Sequence, residues 1–324
     1  MTHRTSLIYW EALNEIGGVT PSIFKKLLNY SKEPYSILHQ ASEHELIEAL
    51  DGVTKSQKER VVKGIQEYRK NPRDDFLDKR LTTAKNREIE VITIADEKYP
   101  ANLKEVRDAP PLLYVLGSTP QHWRAIGVVG TRNPTDYGKE FAEGISREIA
   151  RRRWVIVSGL ARGIDTYAHK GALEAGPTVA VVASGLDKIY PAENKELFQE
   201  IATKGAVISE HPIGTGVSAA NLVTRNRITS GLSVAIIVVE TGKQGGTIHT
   251  IRYADVQKRK IFYAKPRDVR VKQARGVLLL HDKKVFYTKK LLEISTEVYE
   301  IPVTAGLFGS YADFVINKCE KVNK

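Results

Sequence analysis

The sequence predicts an α/β protein: an extended Rossmann-like, doubly wound and mostly parallel sheet, preceded by a small all-helical domain. Short apolar runs rich in Val and Ile alternate with helical segments over the central part of the chain, which indicates βαβ units. Before about residue 75, apolar residues recur only at the 3.6-residue spacing of helices. The 324 residues are enough for one large domain and one small one.

Helical spacing defines the first domain. The apolar residues of Trp10–Ile16 lie on one face of a predicted helix. Thr20 and Pro21 then form a helix start, with Thr as the N-cap and Pro at the first helical position. Residues 71–75, Asn-Pro-Arg-Asp-Asp, are the best candidate for a linker. We therefore predict a helical domain of the SAM-like or helix-hairpin-helix-like kind over residues 1–75.

A weak internal repeat lies within this domain. Gly-Val-Thr-Pro-Ser at 18–22 returns as Gly-Val-Thr-Lys-Ser at 52–56, and a basic helix follows each copy. Two such turns can present helix N-terminal N–H groups to phosphates. They also form ordinary corners in helical bundles, and both interpretations stay open.

Six core strands and their intervening helices define a second domain, predicted over residues 76–290, with 291–324 as a short C-terminal extension. A flanking strand near Glu90–Ile94 precedes the six, which are Ala125–Val129, Trp154–Val157, Thr178–Ala183, Ala206–Ser209, Val234–Val239 and Lys260–Ala264. The predicted helices are Gly138–Arg152, Thr166–Ala175, Asn194–Thr203, Asn221–Leu232 and Thr247–Gln257. Strands that are apolar at nearly every position are typical of a parallel sheet buried on both faces. We expect ligands beyond the carboxyl ends of these strands.

Composition and charge narrow the function classes. The net charge of the chain is +11. The segment Ile251–Lys290 holds 13 basic and 3 acidic residues and therefore nearly all of this charge, so the remainder of the chain is near neutral. A localised basic surface suggests a polyanion partner, although a solvated rim of basic side chains explains the composition as well. The single cysteine, Cys319, excludes an internal disulfide and a thiolate zinc site and favours a reducing compartment. Without an apolar run near ~18 residues or a signal peptide, we predict a cytoplasmic protein with no membrane contact.

Four glycine-containing loops follow predicted strands. They are Gly130–Gly138, Ser158–Asp165, Ser184–Pro191 and Thr241–Thr247. Glycines let a backbone approach an anion closely, and the helix N-termini that follow offer N–H donors. Arg132 and Arg162 can add charge-assisted phosphate contacts. One such loop is weak evidence because glycine is common in βα turns, but four at one sheet edge indicate a phosphate-binding edge.

A further polar cluster, Arg225-Asn226-Arg227, precedes the fifth core strand. Arginines two apart on a helix diverge by ~200°, so one can face a ligand while the other points inward. Asn226 can both donate and accept hydrogen bonds. Helix capping and packing within the domain are the alternative.

The common signatures of catalysis are missing. Gly130 is followed by Thr131 and Arg132, not by the G-x-G-x-x-G of dinucleotide enzymes, and no P-loop motif occurs. No H-E-x-x-H motif or Cys/His cluster suggests a metal, and Ser158 lacks the G-x-S-x-G context of a nucleophile. These absences disfavour a nicotinamide enzyme and an NTPase, and we predict that the protein uses no cofactor and no metal.

These strings resemble the DprA/Smf family, DNA-processing protein A. The resemblance rests on VVGTRNPTDYG, SGLARGIDTYAH, SGLDKIYPAEN, ISEHPIG, TRNRITSGLS and VVET followed by GGT, in the family's order from about Tyr99 to Ala264. It implies an extended Rossmann fold that binds single-stranded DNA and acts as a homodimer. It also implies a non-catalytic protein that helps load the bacterial recombinase onto incoming single strands during natural transformation.

The same resemblance assigns site residues. Gly130 and Arg132 are expected in the backbone-binding loop, Ser158 and Gly159 as N–H donors, and Arg225–Arg227 beside the strand path. The full set expected to bind nucleic acid is Gly130, Thr131, Arg132, Ser158, Gly159, Ala161, Arg162, Arg225, Asn226, Arg227, Gly245, Gly246 and Thr247.

The chain departs from the family's pattern at four places, one of which is Lys265-Pro266 after the last core strand, where the family usually has Pro-Gly. Leu222-Val223 stands where the family usually has Phe-Pro, and leucine cannot stack on a base as an aromatic ring can. Gln244-Gly245-Gly246 replaces the usual Ser-Gly-Ser. The 34 residues after Lys290 look too short for the winged-helix domain of many members. These departures suggest a divergent member.

Two other function classes stay open. A nucleotide-processing enzyme of the related LOG-like fold would use PGGxGT and a glutamate, but Gln244–Thr250 lacks the later glycine and any nearby Glu, so no general acid or base is evident. A sensor of a small phosphorylated ligand would use the glycine loops equally well.

The basic segment allows a separate expectation. Arg267, Arg270, Lys272 and Arg275 follow the last predicted strand. They are expected to extend a DNA path electrostatically. The alternative is a contact with acidic residues of the helical region.

Overall fold

The computed structural model describes residues 3–120, 124–288, 290–302 and 308–320, and the chain divides into two units. The first unit runs to Tyr99 and includes Lys104–Tyr114, and the second contains Pro100–Leu103 and the chain from Val115 onward. No helix among the described residues has both the length and the apolar character needed to span a membrane.

Six helices form most of the first unit. They are α1 (His3–Glu15), α2 (Pro21–Tyr30), α3 (Pro34–His39), α4 (Glu43–Ala49), α5 (Lys55–Lys70) and α6 (Asp74–Asn86), and strand β1 (Ile89–Thr93) follows. Thr20 caps α2 as predicted, with its hydroxyl accepting from the Ile23 N–H. Ser42 and Glu45 form a reciprocal capping box at the start of α4. The helical N-terminal region is therefore confirmed.

A buried polar cluster joins α6 to α1. The Arg80 guanidinium donates to Glu11 at 2.8 and 3.0 Å and to Glu15 at 2.5 Å, and the Tyr114 hydroxyl donates to Glu11 at 2.5 Å. Since Glu11 is only 1% exposed, these bonds are what make its burial tolerable. The predicted boundary after residue 75 thus lies at the start of α6, inside the first unit, whereas this unit extends to about residue 114.

The second unit alternates strands and helices. Its strands are β2 (Leu112–Gly117, entered from the first unit), β3 (Ala125–Val129), β4 (Val155–Ser158), β5 (Thr178–Val181), β6 (Ala206–Ser209), β7 (Ala235–Val238), β8 (Lys260–Ala264), β9 (Lys284–Tyr287), β10 (Lys290–Glu293) and β11 (Val298–Ile301). Its helices are α7 (Ala101–Lys104), α8 (Asp136–Arg151), α9 (Ile164–Leu173), α10 (Lys195–Lys204), α11 (Ala219–Thr224), α12 (Asn226–Leu232), α13 (Gly246–Val256), α14 (Arg275–His281) and α15 (Phe308–Glu320), with short 3₁₀ turns at Ala192–Asn194 and Lys272–Ala274.

Seven of these strands pair in the order β6-β5-β4-β3-β7-β8-β11, and every pair is parallel. The chain moves outward from β3 to β6 on one side and then returns to the other side of β3 with β7. The order therefore reverses between β3 and β7, where Val129 lies opposite Val238. Ligands of doubly wound sheets bind at such a switch point. The doubly wound fold is confirmed.

Helices cover both faces of the sheet. On one face, α8, α9 and α15 bury a core that includes Phe141, Ile145, Ile156 and Tyr311. On the other face, Ile248 and Ile251 of α13 and Val277 of α14 pack on Ile236 and Val238. Because both faces are buried, the strands are apolar at most positions, as the sequence indicates.

The last part of the chain belongs to this sheet. β11 pairs with β8, and α15 packs on α8, where Arg152 donates to Asp313 at 2.6 Å. β9 and β10 form a separate antiparallel hairpin. The described residues of the predicted extension 291–324 thus include the edge strand of the sheet and a helix over its core.

One predicted helix is two. Asn221–Leu232 was expected to be continuous, but α11 ends at Thr224 and α12 begins at Asn226. The Thr224 hydroxyl donates to the carbonyls of Ala220 and Asn221, at 3.1 and 3.3 Å, and competes for the helical acceptors there.

Candidate nucleic-acid interface

A cleft of about 550 Å³ opens at the carboxyl ends of β3, β4 and β7. Its walls are the loops that follow these three strands, together with α11, α12 and the first turn of α13. It lies at the switch point of the sheet, and its lining includes Gly130–Arg132 and Gly245–Thr247. With Gly159, Ala161 and Asp165 also in the lining, the structure brings three of the four predicted loops together at one site.

The loop after β3 is shaped by Gly130. A Cβ at this position would lie 2.5 Å from the Ile164 side chain and 2.9 Å from the Glu240 carbonyl oxygen, so only glycine fits. The next residue is fixed because the Thr131 N–H donates to the same carbonyl at 2.7 Å. Arg132 then reaches the cleft with an exposed side chain, and within the described ranges its guanidinium forms no ion pair. An arginine placed in this way is available to an anion.

The N-terminus of α13 opens into the same cleft. Gly245 has φ +131°, and a Cβ on Gly245 or Gly246 would meet nothing within 4 Å, so the backbone here is open to a ligand. Thr247 anchors the turn by donating to the Gly130 carbonyl at 2.9 Å, and Asn226 donates to the Gly246 carbonyl at 3.2 Å. The first turn of this 11-residue helix contains no acidic side chain. Its unsatisfied N–H groups and positive dipole end favour a phosphate.

Carboxylates of the chain itself accept from donors at the N-terminus of α8 and in the loop before α9. Glu240 accepts from the Thr135 N–H at 2.9 Å and from its hydroxyl at 2.5 Å, while the Thr135 hydroxyl accepts from the Gly138 N–H. Asp165, in the first turn of α9, accepts from the N–H groups of Gly159 and Ala161 at 3.1 and 3.3 Å. The Gly159 N–H, predicted as a donor to DNA, thus donates to Asp165 in this structure.

The prediction for Ser158 concerns its N–H group and stays a prediction, whereas its hydroxyl acts within the sheet. Its side chain is fully buried, and its hydroxyl donates to the Val128 carbonyl at 2.7 Å. The serine ties β4 to β3 below the cleft. Since the hydroxyl group is bound within the sheet, we assign it a structural role.

The two arginines of the 225–227 cluster are buried rather than presented to a ligand. Arg225 is 5% exposed and donates to the carbonyls of Gly159, at 2.5 Å, and of Val181. Burial lowers its pKa, and the nearby Asp165 opposes that shift. Arg227 is also 5% exposed and makes a bidentate pair with Glu210 at 2.6 and 3.1 Å. Both arginines were expected to contact DNA, but in the structure they support the wall of the cleft. Arg225 also lines the cleft.

Arg162 lies at the outer edge of the site. It is exposed and paired with Glu193, which is also exposed. Such a surface pair stabilises the fold little and can exchange for another anion.

The basic segment reaches the cleft rim at one place. The Gln273 side chain donates to the Asn133 carbonyl at 2.9 Å, and Lys272 next to it is exposed. Arg270 pairs with Asp268 at 2.9 Å, and Arg267 lies 4.0 Å from Glu140. Of the four basic residues expected to extend a DNA path, two are thus partly neutralised by close carboxylates.

Carboxylates are the functional residues that the sequence reasoning missed. Asp165, Glu210 and Glu240 each hold a loop or an arginine at the cleft. Glu240 carries a usable signal, because it directly ends an apolar strand that is otherwise buried. No group of three or more potential metal ligands occurs among the residues that the structure describes.

Comparisons with known proteins agree with this architecture. The family model described as DNA recombination-mediator protein A matches residues 90–298. The protein Smf of Synechocystis sp. is 34% identical over 283 residues, which cover 85% of this chain and 68% of that protein. The DNA processing protein DprA of Bacillus subtilis is 42% identical over 177 residues, covering 54% of this chain and 60% of the relative.

Two solved structures share the fold. DNA processing protein A from Streptococcus pneumoniae superposes with a TM-score of 0.73 at 25% identity, over 95% of this chain and 96% of the other. DNA processing protein A from Helicobacter pylori, whose structure describes a single-stranded DNA binding mode, gives 0.60 at 25% identity over 72% and 98% of the two chains. The match of the family model to most of the chain, supported by these relatives, shows that this chain belongs to the DNA recombination-mediator protein A family.

Proposed function

We propose that the chain binds single-stranded DNA through the cleft, with strand phosphates at the N-terminus of α13 and beside Arg132. The observation that carries this proposal is the open first turn of α13. It combines accessible N–H groups with an exposed arginine that has no carboxylate partner among the described residues. A helix N-terminus and a guanidinium are both strong ligands of phosphate.

Single strands fit this site better than duplex DNA. The donors are backbone groups and one flexible side chain at the bottom and rim of a cleft. Contacts of this kind engage phosphates without reading base edges. The H. pylori relative, described by its single-stranded DNA binding mode, supports the assignment.

We propose a binding role and not a catalytic one. The three carboxylates that support the cleft, Asp165, Glu210 and Glu240, are engaged by backbone N–H groups, a hydroxyl or Arg227. A general base must lie within hydrogen-bond reach of the proton that it abstracts, whereas these carboxylate oxygens are turned to donors of the protein itself. This arrangement speaks against the LOG-like nucleotide hydrolase.

The wider role is proposed from family membership. We infer that the protein acts as a homodimer in the cytoplasm and helps load the bacterial recombinase onto single-stranded DNA during natural transformation and recombination. The relatives described as DNA processing proteins support a role of this chain in DNA processing. A recombinase-loading assay with strands coated by a single-stranded DNA binding protein tests this role.

Fluorescence anisotropy with a labelled oligothymidine and with a duplex of equal length tests the binding proposal. We expect tighter binding to the single strand and a log affinity that falls linearly with log salt concentration. Tighter duplex binding or a flat salt response would overturn it. Thermal-shift measurements with mononucleotides test the alternative, a small phosphorylated ligand, which would raise the melting temperature without any affinity for long strands.

A further inference from the structure

A second, smaller pocket adjoins the cleft on the far side of Arg132. The two share Arg132, Gly159, Ala161, Leu222 and Arg225 in their linings, so they form one continuous surface. The part that belongs to the small pocket alone is mostly apolar. It consists of Val182, Ala183, Ser184, Tyr190, Pro191 and Val217, with Arg162 at the edge.

Two apolar side chains of this pocket are unusually exposed. Tyr190 is 43% exposed and Val217 is 38% exposed, in a chain whose large apolar side chains are mostly buried. Neither contributes to the cores on the two faces of the sheet. Because both side chains line the same pocket, they offer an exposed ring and an apolar contact to a ligand beside the phosphate site.

The loop that carries Tyr190 is held in place by polar contacts on both sides. The Ser184 hydroxyl donates to the Lys188 carbonyl at 2.7 Å before the tyrosine. After it, the Asn194 side chain donates to the Leu160 carbonyl at 2.9 Å. Tyr190 therefore lies on an anchored loop. Because the loop is already ordered, less conformational entropy is lost when a ligand binds to the tyrosine.

The charges around the pocket also favour a nucleotide. Arg132 and Arg162 line its mouth. The nearest acidic side chains are engaged, since Glu193 pairs with Arg162 and Asp187 accepts from the Gly214 N–H at 2.8 Å. A strand whose phosphate lies beside Arg132 can thus place the adjoining base against an apolar surface without meeting a free carboxylate.

We propose that Tyr190, together with Val217 and Leu222, forms a nucleobase-stacking subsite next to the phosphate site. This inference rests on the proposed binding of single-stranded DNA and extends it. The subsite takes any base, because every base offers a π-face to the ring. Leu222 supplies a flat apolar contact only, so the tyrosine ring provides the stacking surface.

The test compares Tyr190→Ala and Tyr190→Phe with the wild-type chain on two strands, an oligothymidine and an abasic strand of equal length. Tyr30→Ala is a matched control, since Tyr30 is 42% exposed on the other unit. We expect Tyr190→Ala to weaken binding of the oligothymidine by about 5- to 150-fold, the range for one lost base–aromatic stack. Binding of the abasic strand should stay unchanged, and Tyr190→Phe and Tyr30→Ala should bind both strands like wild type.

The outcomes separate this inference from the proposed function. If wild type binds single strands and Arg132→Ala weakens binding, but Tyr190→Ala has no effect, the stacking subsite is refuted and the phosphate site stands. An equal loss on both strands, or a lower melting temperature of Tyr190→Ala, refutes stacking and makes Tyr190 a support of the loop. If wild type binds neither strand, both proposals fail.

Discussion

Arg132→Ala is the most direct perturbation of the phosphate site. The side chain is exposed, follows the β3 strand end in a loop, and forms no ion pair among the described residues. Its removal should therefore leave the melting temperature unchanged, because exposed substitutions away from special features have small effects on stability. Any loss of DNA affinity is then due to the missing contact between the guanidinium and DNA, and not to unfolding of the protein.

The magnitude follows from the kind of contact. A hydrogen bond to a charged group contributes ~1.5–3 kcal/mol, so loss of one guanidinium–phosphate contact should weaken binding roughly 10- to 150-fold. Each phosphate contact to a single strand also contributes about 0.7 to the slope of log affinity against log salt concentration. We expect the slope for Arg132→Ala to fall by about that amount.

The assay is anisotropy of a labelled oligothymidine at four or more salt concentrations. Arg151→Ala is the matched control: Arg151 is 59% exposed and ends α8, the helix whose first turn lies at the cleft, so it is about 24 Å away along the helix. This variant should bind like wild type. The reasoning is refuted if Arg132→Ala binds like wild type, or if both variants lose the same affinity, which would mean that net charge alone determines binding.

Three further predictions use other parts of the site. Gly246→Asp places a carboxylate in the first turn of α13. The melting temperature should stay the same or rise slightly, because the carboxylate interacts favourably with the helix dipole, whereas DNA affinity should fall at least 10-fold, because the carboxylate repels phosphate. A calorimetric scan measures the melting temperature, and anisotropy measures the affinity. Arg227→Ala leaves Glu210 buried without its partner and should lower the free energy of unfolding by about 3–5 kcal/mol in urea titrations. If it instead costs little stability and much DNA affinity, Arg227 is a DNA contact after all. Replacing Lys272 and Arg275 together by Ala should lower the salt slope by up to ~1.4 if both meet phosphates, and an unchanged slope would remove the basic segment from the DNA path.

The fold could be predicted from local sequence because its causes are local. The strand at Val234–Val239 is apolar at every position, and the structure buries Ala235–Val238 between helices on both faces. Thr20-Pro21 starts a helix through its own side chain and ring, with no help from distant residues. The sequence did not predict β11, because Val298–Ile301 is a short apolar run interrupted by a polar residue. It becomes a strand by pairing with β8.

The sequence placed the candidate site at the right edge of the sheet but could not assign each residue its role. Glycine loops after parallel strands identify that edge from topology alone. Whether an arginine faces solvent or the interior depends on partners far away in the chain. Arg132 is free to meet a ligand, whereas Arg227 is taken by Glu210 and Arg225 by carbonyls 66 and 44 residues earlier. Glu240 likewise accepts from donors at the N-terminus of α8, and Asp165 accepts from N–H groups of the loop before α9, although these loops look equivalent in the sequence. Tertiary packing decides which distant segments form hydrogen bonds with each other. For this reason the sequence could not show that the N-terminus of α13 is open to the cleft, and the structure could.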